Sequence, residues 1–181
     1  LKKIEIGIVK KQDISENQVS HAYLAIGSNL GSRINNIELT KLELEKHNIK
    51  ILKFSSNYIS ESWPDNSMPE YINIIIKIKT SLAPLELLKV CNTIELKLGR
   101  IRKKKNSSRT CDIDIIDYNS EVLGGQNSKL ILPHPRMCKR NFVLLPLFEV
   151  NKSWIHPKSK INIVKLINSL KIKDLRSIKQ I

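Results

Sequence analysis

The spacing of apolar residues changes along the chain, and each change marks an element. Residues 71–82 alternate, with Ile72, Ile74, Ile76 and Ile78 set against Asn73, Lys77 and Lys79. A period of two sends one set to each face of a β-strand, so this is the clearest strand in the sequence. An earlier extended run covers 51–59, and a polar, Pro-containing connection over 60–70 joins the two. Upstream, 22–26 reads as a strand ending in Gly27, and Ser32 is placed to cap a helix running to about His47, although its apolar stripe is untidy. Downstream, Pro84 sits where a first helical turn accepts it. Leu88, Cys91, Glu95 and Leu98 follow at spacings of three and four until Gly99 stops the helix. Glu95 is out of place on that apolar face. A loop over 100–108 leads into a strand over 110–118.

Strand, helix, strand, strand, helix, strand is the order of an α+β sandwich of the ferredoxin-like βαββαβ type, its sheet mainly antiparallel. A C-terminal extension follows. It offers a hairpin around Gly124-Gly125, a loop framed by Pro133 and Pro135, an apolar stretch over 142–148 and a short helix near 163–170. Residues 1–20 carry mixed charge and one candidate strand at 4–9. We therefore expect an N-terminal appendage over 1–20, a folded domain over 21–170 and a C-terminal tail over 171–181.

With 181 residues, 41% of them apolar, the chain is long enough for one domain with a real core. No apolar run approaches the roughly 18 residues of a membrane span. The run at 6–9, flanked by Glu5 and Lys10-Lys11, is too short for a signal peptide. The expectation is a cytoplasmic protein without a membrane partner. Three separated cysteines with no Cys-x-x-Cys pair fit reduced thiols there.

The net charge of +14 calls for a polyanionic partner, which charge alone does not identify. Only seven of the 31 cationic residues are Arg, and five of these are Arg100, Arg102, Arg109, Arg136 and Arg140. In a chain rich in Ile, Lys and Asn, Arg persists where its planar fork matters. That fork grips phosphate oxygens two at a time, so 100–140 reads as a phosphate-handling region, with a basic surface face of no special purpose as the alternative that composition leaves open.

Within it lies Arg109-Thr110-Cys111-Asp112-Ile113-Asp114-Ile115. On a strand, Asp112 and Asp114 share one face while Cys111, Ile113 and Ile115 enter the core. Two neighbouring carboxylates repel, and a divalent ion relieves the repulsion. Mg²⁺ takes one or two carboxylates with water and substrate phosphates, and two ions about 3.5–4 Å apart suit such a pair. A bare Asp-x-Asp is also an ordinary solvated strand face; its place between an Arg cluster and a His-bearing loop favours the metal. In Pro133-His134-Pro135-Arg136-Met137-Cys138-Lys139-Arg140, two prolines stiffen a basic loop suited to a triphosphate, with His134 a hydrogen-bond donor. No second Cys/His pair accompanies His134 and Cys138, which argues against zinc. Gly27-Ser28-Asn29-Leu30-Gly31 lies between a strand and a helix, where amides can face an anion, but it lacks a P-loop ending.

Taken in order, Ala25-Ile26-Gly27-Ser28-Asn29-Leu30-Gly31, Pro69-Glu70-Tyr71-Ile72-Asn73, Leu98-Gly99-Arg100-Ile101-Arg102, the Asp112/Asp114 strand, and Pro133-His134-Pro135-Arg136-Met137 with Arg140 and Phe142 resemble the 6-hydroxymethyl-7,8-dihydropterin pyrophosphokinase family across residues 22–170. The resemblance implies a ferredoxin-like fold, ATP as co-substrate and two Mg²⁺. It implies transfer of pyrophosphate to a dihydropterin hydroxymethyl group with release of AMP, in folate biosynthesis. By resemblance Asp112 and Asp114 hold the metals, and Arg100 and Arg102 join them in catalysis. Arg100, Arg102, Arg109, His134 and Arg140 contact the triphosphate. Asn92 and Glu95 lie near the nucleotide, and Ile115, Leu130 and Ile131 enclose adenine. Tyr71 and Phe142 sandwich the pterin, Asn73 reads its edge, and Ser60 adds a backbone contact. One aspartate is a candidate to orient the hydroxyl or accept its proton. A fusion to, or association with, another folate enzyme is left open.

Two departures stand out. The loop 103–108 is shorter than usual and lacks the further Arg and aromatic that members of the resembled family often carry, and Ser60-Glu61-Ser62-Trp63-Pro64 differs from the usual loop, which makes Trp63 a candidate stacking surface. Rival readings are a basic α/β RNA-binding module, for which 5% aromatics is poor provision, and a non-catalytic ligand-binding domain of the same fold.

Overall fold

The computed structural model describes residues 19–62, 67–100, 107–125 and 128–181. The candidate strand at 4–9, Trp63, Arg102 and Lys103-Lys104-Lys105 lie outside the described residues.

Strand β1 (Ser20–Ser28) leads to helix α1 (Arg33–Lys46), then β2 (Lys50–Phe54), β3 (Tyr58–Ser60), β4 (Tyr71–Thr80), helix α2 (Pro84–Lys97) and β5 (Asp112–Tyr118). The sheet order is β5-β1-β4-β3, with β2 also on β4 and every pairing antiparallel. This is the ferredoxin-like order that the element sequence predicts. Alternation places Leu24, Ile26, Ile72, Ile74, Ile76, Ile78, Ile113 and Ile115 on one face, packed against Ile37 and Leu44 of α1 and Leu87, Cys91 and Ile94 of α2.

The other face is covered too. Helices α3 (Asn141–Val150) and α4 (Ile163–Asn168) bring Val143, Leu144, Leu147, Ile163 and Leu166 onto Tyr23, Ile75 and Ile116. The stretch at 142–148 read only as apolar because α3 is apolar on nearly every side and contains Pro146, which hides a helical period. With α3 and α4 in place, this face is no platform for the stacked bases of an RNA module.

Two further expectations are corrected. The extended run 51–59 is broken, because Ser55 leaves the strand direction: its amide donates to the Ile75 carbonyl (2.9 Å) while its Oγ accepts from Ile75 N–H (3.0 Å). The segment 171–181 is not a tail. It forms a short helix, α5 (Ile172–Arg176), and β6 (Ile178–Gln180), which pairs with β3 through Ile178 opposite Ser60. Three residues are too few for alternation to announce a strand. The hairpin near Gly124 is present, since Leu123 and Leu132 exchange both backbone hydrogen bonds at 3.0 Å. Gly124, at φ +80°, fits there because a Cβ would lie 2.3 Å from the Leu130 carbonyl oxygen.

A β-bulge in β5 opposite Tyr23 and Leu24 inserts Ile116 as an extra residue. Ile116 and Asp117 thereby turn toward the α3 side. Asp117, only 1% exposed, accepts from Trp154 Nε1 (2.7 Å) and Ser120 N–H (3.0 Å), which fastens the C-terminal region to the strand that carries Asp112 and Asp114.

Candidate active site

The site begins with a row across the sheet. Asp112 is registered with Gly27, Gly27 with Asn73, and Asp114 with Ala25. Because Ile26, Ile72, Ile74, Ile113 and Ile115 point into the α1/α2 core, Asp112, Asp114, Asn73 and Tyr71 share the opposite face. The β1 residues beside the carboxylates are the two smallest available, so the strand floor between acids and Asn73 stays open. Gly27 keeps the floor clear: a Cβ there would sit 3.0 Å from Asn73 Oδ1 and 3.4 Å from Tyr71 Cδ1.

Cations converge on the acids from three segments. Arg100, just past α2, places Nη1 2.8 Å from Asp112 Oδ1 and also pairs with Glu95. Arg109, leading into β5, places Nη1 3.1 Å from Asp112 Oδ2. Arg140, at the start of α3, places Nη1 2.8 Å from Asp114 Oδ2 and stacks over the Phe142 ring at 5.4 Å. His134 Nε2 lies 3.6 Å from the same Asp114 oxygen. His134 Nδ1 accepts from Arg136 N–H (3.2 Å), so the neutral ring carries its proton on Nε2, facing Asp114. Burial lowers the His134 pKa, with Asp114 opposing, and the ring is therefore a neutral donor at pH 7.

Tyr71, Asn73, Ser60 and Phe142 line a cleft of about 190 Å³ together with Arg100, Arg109, Asp112, Asp114, Arg136 and Arg140. Asn73 Nδ2 donates to Ser60 Oγ (2.9 Å), which turns the amide on one side. Asn29 supports the cleft from beneath. Its amide group donates to Ser62 Oγ, Pro69 O and Ser108 Oγ at 3.2–3.4 Å and accepts from Arg109 N–H at 2.8 Å. The Gly27–Gly31 turn therefore works through a side chain that ties three loops together, and the Asn29 amide N–H is taken by the Arg109 carbonyl (3.1 Å) instead of facing an anion.

Most residues singled out in the sequence meet here: Arg100, Arg109, Asp112, Asp114, His134, Arg140, Ser60, Tyr71, Asn73 and Phe142. Others stand apart from the cleft wall. Glu95 is buried behind β5, where it accepts from Ile113 N–H (2.8 Å) and grips Arg100. Burial raises its pKa, and the Ile113 and Arg100 contacts act against that rise. Its place on an apolar helix face is thus explained by support of Arg100 and β5. Ile115, 3% exposed, belongs to the core with its side chain turned away from the acids, and Leu130 packs at the edge of that core. Ile131 lines a separate apolar hollow with Val122, Pro133 and His156, and Asn92 is half-buried on α2. Sequence reasoning passed over Gly27 as floor and Asn29 as clasp, and it named Arg136 only as part of the basic loop.

These features define a class: a ferredoxin-like α+β protein whose sheet end forms an acid-floored, arginine-walled cleft. A sequence profile of the 7,8-dihydro-6-hydroxymethylpterin-pyrophosphokinase family, HPPK, matches residues 23–152, and the chain belongs to that family. The 2-amino-4-hydroxy-6-hydroxymethyldihydropteridine pyrophosphokinase of Haemophilus influenzae is 37% identical over 141 residues, covering 77% of this chain and 87% of that protein. The folic acid synthesis protein fol1 of Pneumocystis carinii is 32% identical over 166 residues, which are 91% of this chain and 22% of that one. A crystal structure of wild-type HPPK-DHPS from Plasmodium falciparum with pteroate shares the fold at a TM-score of 0.73 and 16% identity, over 91% of this chain and 46% of that chain. The chain thus corresponds to part of each of the last two proteins.

Proposed function

We propose that the chain transfers pyrophosphate from ATP to the hydroxymethyl group of 6-hydroxymethyl-7,8-dihydropterin, with Mg²⁺, releasing AMP in folate synthesis in the cytoplasm. The observation that carries this reading is the floor formed by Asp112 and Asp114 beside Gly27 and Ala25, in a cleft lined both by guanidinium groups and by Tyr71, Asn73 and Phe142. Family membership supports it, as does the name of the Haemophilus influenzae relative.

The donor set fits Mg²⁺: two carboxylates on one strand face that both line the cleft, where phosphate oxygens and water would complete a hard-oxygen shell. When bound, two such ions neutralise phosphate charge and align the attacking and leaving oxygens. Asp112 and Asp114 would hold them. Arg100, Arg109 and Arg140, with Arg102, would bind the triphosphate, and the neutral His134 would donate Nε2–H to a phosphate oxygen. Asn92, Leu130 and Ile131 would meet the nucleoside; Glu95 would act through Arg100, and Ile115 through its backbone on the edge strand. Tyr71 and Phe142 would sandwich the pterin, Asn73 would read its edge and Ser60 would add a backbone contact. Held so, the pterin hydroxyl attacks the β-phosphorus as the bond to the AMP oxygen breaks, and positioning with charge neutralisation supplies most of the rate. In the Pneumocystis and Plasmodium relatives the matching region is part of a longer chain, and association with another enzyme of the pathway belongs to the same proposal.

An assay of AMP release from MgATP tests it. AMP should appear only with the dihydropterin, and Asp112→Ala or Asp114→Ala should lower kcat by about 10³-fold or more. Pterin-independent AMP, or unimpaired aspartate variants, would remove the reading.

A further inference from the structure

The carboxylates of the cleft are held by guanidinium groups. Asp112 Oδ1 is taken by Arg100 (2.8 Å) and Asp112 Oδ2 by Arg109 (3.1 Å). Asp114 Oδ2 is taken by Arg140 at 2.8 Å. Only Asp114 Oδ1 has no such partner among the described residues. Among the described residues, these three guanidinium groups meet three carboxylates, those of Asp112, Asp114 and Glu95. The arginine side chains are mostly buried, at 15–19% exposure, which limits screening by water and salt.

A divalent cation entering this set meets two obstacles. It needs the lone pairs that N–H groups now use, and it adds two positive charges beside three guanidinium groups held at contact distance. A nucleoside triphosphate arriving with its metal ions removes both. Its phosphates offer the arginines replacement oxygens, and the ions and phosphates together bring almost no net charge. Metal and arginine then exchange partners. The aspartates pass from guanidinium to metal, and the guanidinium groups pass from aspartate to phosphate.

We infer that Arg100, Arg109 and Arg140 are resident counterions that keep the Asp112–Asp114 pair closed to free Mg²⁺ and open it only to the metal–nucleotide complex. The inference rests on the functional reading above and extends it from where the ions sit to when they are admitted. It gives each arginine two jobs with opposite consequences on removal: free metal should bind more tightly, and the metal–nucleotide complex more weakly. A variant that is only structurally damaged would weaken both.

The test is Mn²⁺ binding to the full chain, followed by electron paramagnetic resonance, alone and with α,β-methylene-ATP. Arg140→Ala releases Asp114, and Arg109→Gln repeats the test at Asp112 should the first variant fold poorly. In either variant the Kd for Mn²⁺ alone should fall about tenfold, while binding of Mn²⁺ with the analogue should weaken about tenfold. Free-ion affinity that is unchanged or lower in both overturns the inference. Asp112→Asn and Asp114→Asn separate this from the underlying reading. If they abolish analogue-dependent Mn²⁺ binding while the arginine variants leave free-ion binding unchanged, only the counterion role fails. If they leave analogue-dependent binding intact, the aspartates are not the metal site and both fail.

Discussion

Gly27 shows how much the site depends on single atoms. Adding one methyl group at 27 meets Asn73 Oδ1 at 3.0 Å, while the backbone there is an ordinary strand that accepts alanine. Gly27→Ala should therefore fold, displace the Asn73 amide by a few tenths of an ångström and raise KM for the dihydropterin about tenfold. Binding of MgATP, measured separately by calorimetry, should hardly change. The arginines were legible in the sequence because a chain that otherwise uses Lys keeps Arg where forked contacts matter, and Arg100, Arg109 and Arg140 all reach the acids. Strand period put Asp112 and Asp114 on one face, and their place between the Arg cluster and the His134 loop is what singled them out. Gly27 and Asn29 were not, because their work is done on residues distant in the chain: Asn29 reaches Ser62, Pro69 and Ser108, and no local pattern encodes that reach.

At the scale of elements, β5 is an edge strand that must still hold two carboxylates in register. The bulge at Ile116 and the buried Asp117–Trp154 hydrogen bond provide the second attachment. Trp154→Phe removes that donor from a buried carboxylate, so unfolding in urea should show a loss of about 1–3 kcal/mol. His156 packs edge-on against Trp154 at 5.8 Å and accepts the Lys158 and Ser159 amides on Nδ1. Burial lowers its pKa from 6.5, with Asp117 acting in the other direction. A histidine held neutral in the fold contributes stability that is present above its unfolded pKa. That contribution is lost as pH falls from about 6.5 toward the folded value. Thermal unfolding between pH 7.5 and pH 5, buffer values of about that range, should slope less in His156→Asn, which keeps an acceptor for the turn but does not titrate. Element types followed the clarity of their period: β4 was plain from alternating isoleucines, whereas α3, apolar all round with Pro146 inside, and β6, three residues long, carried no period to read.

For the whole molecule, the charge of +14 and the concentration of Arg at one end of the sheet favour capture of a polyanion. Much of the remaining charge is Lys on exposed positions, where salt screens it, so KM for MgATP should rise with ionic strength while the pterin KM stays nearly constant. Among the described residues no helix is long and apolar enough to cross a membrane. Helices on both sheet faces leave the cleft at the sheet end as the place where strand carboxylates, a basic loop and aromatic walls meet. The most direct measurement is a crystal structure with Mg²⁺, α,β-methylene-ATP and the dihydropterin. We predict Asp112 and Asp114 oxygens on the metal at about 2.0–2.1 Å, with Arg100, Arg109 and Arg140 moved onto phosphate and the pterin hydroxymethyl group in line with the β-phosphorus. Carboxylates still paired to their arginines, with the triphosphate bound elsewhere, would contradict the account.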